Sequence, residues 1–172
     1  MSHCKVIRFK NDKKTEYLEC KNSHGGAARI WDAMYKKYLR RYPNDPTDNW
    51  LLGKWQSDLW KVADAVTVPD PFRAVLASTY DHAIVRRENF QQFASDLRSF
   101  VAAFPPGPCV CHLEAWAEYV ESSGDDVWAI GFHGTSVSDN LWVKYDDDDC
   151  VPYDFDTNTR HFDVYAYIGA KE

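Results

Sequence analysis

The segment that decides the fold is residues 4–21, Cys-Lys-Val-Ile-Arg-Phe-Lys-Asn-Asp-Lys-Lys-Thr-Glu-Tyr-Leu-Glu-Cys-Lys. Residues 4–10 and 15–21 have the composition of strands, and Asn11-Asp12 between them tolerates the left-handed backbone of tight turns. We therefore predict an N-terminal β-hairpin. A three-residue loop centred on Asp12, one of several registers open to this hairpin, would place Cys4 opposite Cys20.

Apolar residues recur at helical spacing through the middle of the chain, with capping and stop signals between the repeats. The first helix is expected between a cap at Asn22-Ser23 and the stop at Pro43. Four more are expected: residues 51–62, a helix that begins at Asp70-Pro71 and continues its apolar face to Ile84, residues 88–104, and residues 113–120.

Strand periodicity returns near the end of the chain. Apolar and other residues alternate through residues 128–133, 141–145 and 162–168, which is the period of a β-strand. Because a hairpin alone is only marginally stable, we expect it to join these three C-terminal strands. The predicted fold is α+β: one mostly antiparallel sheet of hairpin and C-terminal strands, with about five helices between them packed on it.

Length and composition indicate one globular domain spanning residues 1–172. Apolar residues make up 45% and charged residues 27% of the chain, which is ordinary for a protein with a packed core. The first five residues contain no apolar run of the kind found in signal peptides, and no later stretch is long and apolar enough to cross a bilayer. These features, with five cysteines in no obvious disulfide pattern, predict a cytoplasmic protein with free thiols and no membrane contact.

The formal charge of −6 conceals a gradient along the chain. Residues 1–61 carry a net charge of +6, whereas residues 121–163 carry −9. Such asymmetry bears on binding partners and on the steering of association rather than on the fold.

The acidic end is concentrated in six carboxylates within residues 146–156. Neighbouring carboxylates repel one another unless a cation or a basic partner compensates them. The spacing lacks the glycine and the closing glutamate of an EF-hand loop. We therefore predict a surface that binds another protein with a basic face; its residues are Asp146, Asp147, Asp148, Asp149, Asp154 and Asp156, together with Trp142. A solvated acidic loop with no partner and a loose Ca²⁺ or Mg²⁺ site are the alternatives.

A possible basic patch lies on the first predicted helix, where Lys36 and Lys37 are followed four residues later by Arg40 and Arg41. Such a patch is the element that nucleic-acid binding through the basic N-terminal third would require. Nucleic-acid-binding domains are usually basic overall, and this chain is acidic, so nucleic acid is the less favoured partner.

A small enzyme is a further alternative, with a site assembled from His133, Asp81, His82 and Arg86. The sequence contains no phosphate loop, dinucleotide fingerprint, nucleophile elbow or His-Glu-x-x-His zinc motif. The one-residue gap in Cys109-Val110-Cys111 also differs from the spacing of zinc knuckles. We therefore predict no catalytic residues, no cofactor and no metal.

The sequence thus favours a non-catalytic intracellular binding protein that covers or mimics a surface. Its small size, aromatic richness and acidic segment resemble, as a class, intracellular inhibitors, immunity proteins and phage anti-defence proteins. Aspartates can imitate phosphates in charge, which would let the acidic segment occupy a basic groove of the partner.

Overall fold

The computed structural model describes residues 3–12, 14–21, 26–41, 56–80, 83–105, 112–134, 143–146, 149–152 and 162–170. The strands are β1 (His3–Lys10), β2 (Thr15–Lys21), β3 (Ala83–Arg86), β4 (Val127–Gly134), β5 (Val143–Asp146), β6 (Asp149–Pro152) and β7 (Phe162–Asp163). The α-helices are α1 (Ala27–Met34), α2 (Gln56–Asp64), α3 (Asp70–Ala77), α4 (Phe90–Ala103), α5 (His112–Glu121) and α6 (Val164–Gly169). The protein is therefore an α+β protein, as predicted.

The main sheet has the strand order β2-β1-β4-β3-β7. The first four strands pair antiparallel, and β7 lies parallel to β3 at the edge. The predicted hairpin forms the β2-β1 end, and its register sets Cys4 opposite Cys20, as a loop centred on Asp12 requires. β1 also pairs with β4, so the hairpin does join a strand from the C-terminal half of the chain.

One face of the sheet packs on the helices and carries most of the core. Val6 of β1 and Phe132 of β4 lie on this face, and the Phe132 ring is 4.9 Å from that of Trp116 on α5. The other face holds a smaller apolar cluster to which Ile7 of β1 and Ile84 of β3 belong. The central strands therefore bury side chains on both faces.

Residues 83–86 form a strand and not the end of the third predicted helix. That helix begins at Asp70 as expected but ends at Ala77. Ala83, Ile84 and Val85 are all buried because β3 lies between β4 and β7 with apolar groups on both sides. A strand buried on both faces does not alternate, so its sequence looks like the continuation of a helical apolar face.

The C-terminal strands also differ from the prediction. Residues 162–163 form a short strand, but residues 164–169 are α-helical; the Asp163 side chain accepts hydrogen bonds from the backbone N–H groups of Tyr165 and Ala166 and so caps the helix. The predicted strand 141–145 corresponds to β5, which pairs with β6 in a separate two-stranded sheet and not in the main one. Only β4 of the three predicted C-terminal strands contributes its full predicted length to the main sheet.

The remaining predicted helices are present with altered ends. The first is α1, whose N-cap is Gly26, followed by a π-helical segment, Tyr35–Leu39; the predicted cap at Asn22-Ser23 lies outside the described residues. The third predicted helix is α3. Its N-cap is Pro69, and the Asp70 side chain makes no capping hydrogen bond. The second, fourth and fifth correspond to α2, α4 and α5.

Candidate functional site

The acidic segment contains a β-hairpin of its own. β5 and β6 pair antiparallel, and their register places Asp146 directly opposite Asp149. The predicted residues Asp147, Asp148, Asp154, Asp156 and Trp142 lie outside the described residues. The register thus places two of the predicted binding residues at paired backbone positions.

The basic residues of the N-terminal hairpin have acidic neighbours. The Lys10 ammonium pairs with Glu16 and lies 3.3 Å from a carboxylate oxygen of Asp126, and Arg8 lies 3.6 Å from Glu16. Arg8 also rests on the Tyr119 ring, 3.7 Å from its centroid. The charges of Lys10 and Arg8 are therefore paired with carboxylates in their own part of the fold.

The predicted basic patch does not form one helical face. Lys36 pairs with Asp32 at 2.8 Å, and both Lys36 and Lys37 belong to the π-helical segment, which alters the four-residue spacing. Arg40 has extended backbone beyond the helix end, and Arg41 follows it as an exposed residue. Lys36 and Lys37 line an open groove of about 550 Å³ with Arg29, Ala33 and the C-terminal end of α4.

The residues of the enzyme alternative do not all converge. Arg86 is opposite Ala129 on β4, and its guanidinium Nε lies 3.0 Å from the carboxylate of Asp163. His133 lies four positions further along β4, where its partner on β1 is Lys5. Four strand residues span about 13 Å, so Arg86 and His133 belong to different ends of the sheet. Asp81 and His82 lie outside the described residues.

A cleft that the sequence analysis did not identify lies between the N-terminus of α3, the middle of α4 and helix α6. Its volume is about 250 Å³. Asp70 and Gln92 are exposed and form its mouth, whereas Asp96 is only 3% exposed and forms its floor. The other lining residues are Pro71, Tyr165, Ile168 and Gly169.

Asp96 is the unusual group of this cleft. Its Oδ1 accepts a hydrogen bond from the Gln92 amide at 2.8 Å, and its Oδ2 accepts one from the Tyr165 hydroxyl at 2.6 Å. Burial raises the pKa of Asp96, the bonds from Tyr165 and Gln92 oppose that shift, and the charge of Asp70 adds to it. A buried carboxyl with a shifted pKa in a cleft is typical of binding and catalytic sites.

Arg73 fixes the walls of the same cleft. It is 1% exposed, and its Nε donates to the Ala63 carbonyl oxygen of α2 at 2.9 Å. Nη2 donates to the Ile168 carbonyl oxygen of α6 at 3.0 Å, and Nη1 donates to Oδ1 of Asp70 at 2.9 Å. One buried guanidinium therefore joins three helices and holds one oxygen of Asp70.

The two buried charged residues of this cleft, Asp96 and Arg73, both stand at positions that the sequence marks as unusual. Asp96 lies three residues after Phe93 and four before Phe100, and both phenylalanines are buried on the core face of α4. Arg73 similarly precedes Leu76 and Ala77 on the buried face of α3. A charged residue at an apolar position of an amphipathic helix is a signal of a buried, partnered group.

Within the described parts of the chain, no three His, Cys, Asp or Glu residues are arranged to hold a metal ion. Cys109 and Cys111 lie outside those parts, and His112 is the first residue of α5. None of the helices in the described ranges combines the length and the apolar character needed to cross a membrane.

Comparison of the chain with protein-family models, with curated proteins and with solved structures finds no match of any of the three kinds.

Proposed function

We propose that this chain is a non-catalytic protein-binding module that presents its acidic hairpin to the basic surface of a partner protein. The observation that supports this proposal is the β5–β6 register, which pairs Asp146 with Asp149 in a sheet of two strands. A basic partner would be attracted from a distance by the six carboxylates within residues 146–156.

The ion pairs of the N-terminal region support an external partner. Among the described residues, Lys14 and Lys36 pair with the sequence neighbours Asp12 and Asp32, and Lys10 pairs with Glu16 on the facing strand and with Asp126. Cations that are already paired with adjacent carboxylates are poor compensation for an acidic hairpin elsewhere in the chain. The same pairing weakens the case for nucleic-acid binding, because Lys36 would have to release Asp32 to contact a phosphate.

Within this proposal, the inhibitor, immunity or phage anti-defence class remains the favoured setting, in the cytoplasm. The module would act by occlusion: the hairpin enters a basic groove of the partner and excludes its normal ligand. Charged rims of this kind raise the association rate and make it sensitive to salt.

The test is capture of a partner from the native host with tagged protein, followed by affinity measurement with the captured protein. A variant with the four aspartates 146–149 changed to asparagine is expected to bind more weakly and to lose most of the salt dependence of the association rate. The loss should appear in the association rate constant, measured by surface plasmon resonance at two ionic strengths.

A matched control removes four exposed acids elsewhere: Asp32→Asn, Glu88→Gln, Glu114→Gln and Glu118→Gln. This control has the same net charge as the hairpin variant but keeps Asp146 and Asp149. Unchanged binding by the hairpin variant would refute the proposal. An equal loss in both variants would show that net charge, and not the hairpin, attracts the partner.

A further inference from the structure

The cleft at Asp96 is built to receive a positive group. Asp96 is nearly fully buried, yet both of its described hydrogen-bond donors, the Gln92 amide and the Tyr165 hydroxyl, are neutral. Buried carboxylates in proteins are ordinarily paired with a cation or coordinate a metal. No lysine or arginine of the described ranges contacts Asp96, which lines the cleft.

The acceptor groups at the cleft match an ammonium. Each Asp96 oxygen accepts one described bond and can accept another. Gln92 donates its amide to Asp96, which leaves its own carbonyl oxygen as an acceptor at the mouth. Arg73 occupies Oδ1 of Asp70, and Oδ2 of Asp70 has no partner in the part of the chain that the structure describes. Asp96, Gln92 and Asp70 thus offer three acceptors, and an alkylammonium carries three donors.

A guanidinium fits less well than an ammonium. Bidentate binding of a guanidinium needs both oxygens of one carboxylate in a single plane. Both oxygens of Asp96 already hold a donor, and one oxygen of Asp70 holds Arg73. A compact point charge on a thin alkyl stem avoids this obstruction. The volume of about 250 Å³ is also below that of pockets for drug-sized ligands.

We propose that the cleft between α3, α4 and α6 binds a primary alkylammonium group, with Asp96 as its counter-ion and Asp70 and Gln92 at its mouth. The ammonium is carried by a free alkylamine or by a lysine side chain of another protein. The stem of either lies along the apolar surface of Pro71 and Ile168. This site is separate from the acidic hairpin and does not depend on the proposed function.

The test is an NMR titration of the full chain. The side-chain amide of Gln92 is the reporter at the mouth, and the backbone N–H of Gly169, another lining residue, is the reporter that remains in a Gln92 variant. Butylammonium chloride is expected to shift these signals with saturation in the roughly millimolar range, because the ligand has few atoms. Butan-1-ol, which has the same stem without the charge, is expected to cause no saturable shift. Nα-acetyl-lysine methylamide distinguishes the sources: tighter binding than butylammonium indicates a lysine of a protein, and weaker binding indicates a free amine.

Two variants and a control make the result specific. Asp96→Asn removes the charge and leaves one acceptor oxygen and one NH2 donor beside Tyr165 and Gln92. It should weaken butylammonium binding roughly tenfold or more. Asp64→Asn is the matched control. Asp64 accepts a hydrogen bond from the hydroxyl of Tyr167, which is on α6 as Tyr165 is, but Asp64 does not line the cleft. Gln92→Lys places an ammonium one helical turn from Asp96 at an exposed position, and it should raise the melting temperature and abolish butylammonium binding.

Four outcomes would overturn the proposal. Equal shifts with butan-1-ol would show an apolar pocket, and saturation by Ca²⁺ or Mg²⁺ below the amine concentration would show a metal site. Retained binding in Gln92→Lys together with Asp96→Asn would place the amine elsewhere. Unchanged butylammonium affinity in Asp96→Asn alone would show that Asp96 is not the counter-ion.

Discussion

Arg73 offers the sharpest test of what holds the helical layer together. Its guanidinium donates to the carbonyl oxygens of Ala63 and Ile168 and to the carboxylate of Asp70. The proposed substitution is Arg73→Met, which places an unbranched apolar side chain at a position that is 1% exposed. The substitution removes all three hydrogen bonds and leaves two buried carbonyl groups without a donor.

Two opposing effects set the change in the free energy of unfolding that Arg73→Met causes. Removing a buried guanidinium relieves its desolvation, which is why some buried charges can be replaced by apolar groups at little cost. Each orphaned carbonyl, however, costs roughly 1–3 kcal/mol. The ion pair contributes little by itself, because Asp70 is 57% exposed. We expect the orphaned carbonyls to dominate, and the free energy of unfolding to fall by about 2–4 kcal/mol.

The assay is urea unfolding followed by circular dichroism and by tryptophan fluorescence. Asp70→Asn is the control and should cost less than about 1 kcal/mol, because it removes only the exposed partner. Hydrogen exchange should show the fastest new opening in Val164–Gly169, since Ile168 is the point at which Arg73 holds that helix.

A loss below about 1 kcal/mol for Arg73→Met, with an unchanged denaturant slope, would refute the reasoning. It would mean that the two carbonyls find other donors or water. An equally large loss in Asp70→Asn would instead show that the ion pair carries the stability.

Three further predictions follow from buried or capping groups. Because the folded-state pKa of Asp96 is raised, its contribution to stability is present at low pH and is lost as the pH rises through that pKa. The melting temperature of Asp96→Asn should therefore rise relative to that of the wild type as the pH rises above the ordinary aspartate pKa of about 4, and a difference that stays constant with pH would contradict this. Burial raises the pKa of Cys4 to about 12, so folded protein at pH 8 should resist iodoacetamide at this thiol, as read by mass spectrometry, whereas labelling as fast as in urea would oppose the prediction. Asp163→Ala should cost about 0.5–2 kcal/mol through the lost cap, and Asp163→Asn, which can still cap, should cost less in the same urea assay; equal losses would point to the Arg86 ion pair instead.

The hairpin and the amphipathic helices were predictable because their signals are local. Alternation and turn residues are enough to place β1 against β2, whereas the Cys4–Cys20 register was one of several that the sequence left open. The spacing of the apolar residues in α4 and α5 is that of helices that pack one face against a core. These elements depend little on the rest of the chain.

The segment at residues 162–168 shows why a local signal can be ambiguous. Positions four residues apart share a face in both a strand and a helix, since four is close to one helical turn and is twice the strand period. Val164 and Ile168 are both buried, and the helix satisfies them as well as a strand would. The Asp163 cap and the Arg73 bond to Ile168 favour the helix, and the second of these is a contact between distant residues.

The candidate cleft was missed for the same reason. Its three walls come from residues near 70, 92–96 and 165–169, and no motif links them. The position of Asp96 on an apolar helix face was the available signal, but it indicates burial without naming a partner. The hydroxyl of Tyr165, 69 residues away, completes the site only in the folded chain.

The pairing of β1 with β4 has a consequence for synthesis of the chain. About a hundred residues separate the end of β2 at Lys21 from the start of β4 at Val127, so at roughly 5–20 residues per second the hairpin waits roughly 5–20 s for its neighbour. A lone hairpin is marginally stable, and the side chains of Val6 and Ile7 are uncovered during that interval. The nascent chain is therefore expected to engage chaperones that recognise apolar segments until β4 emerges from the ribosome.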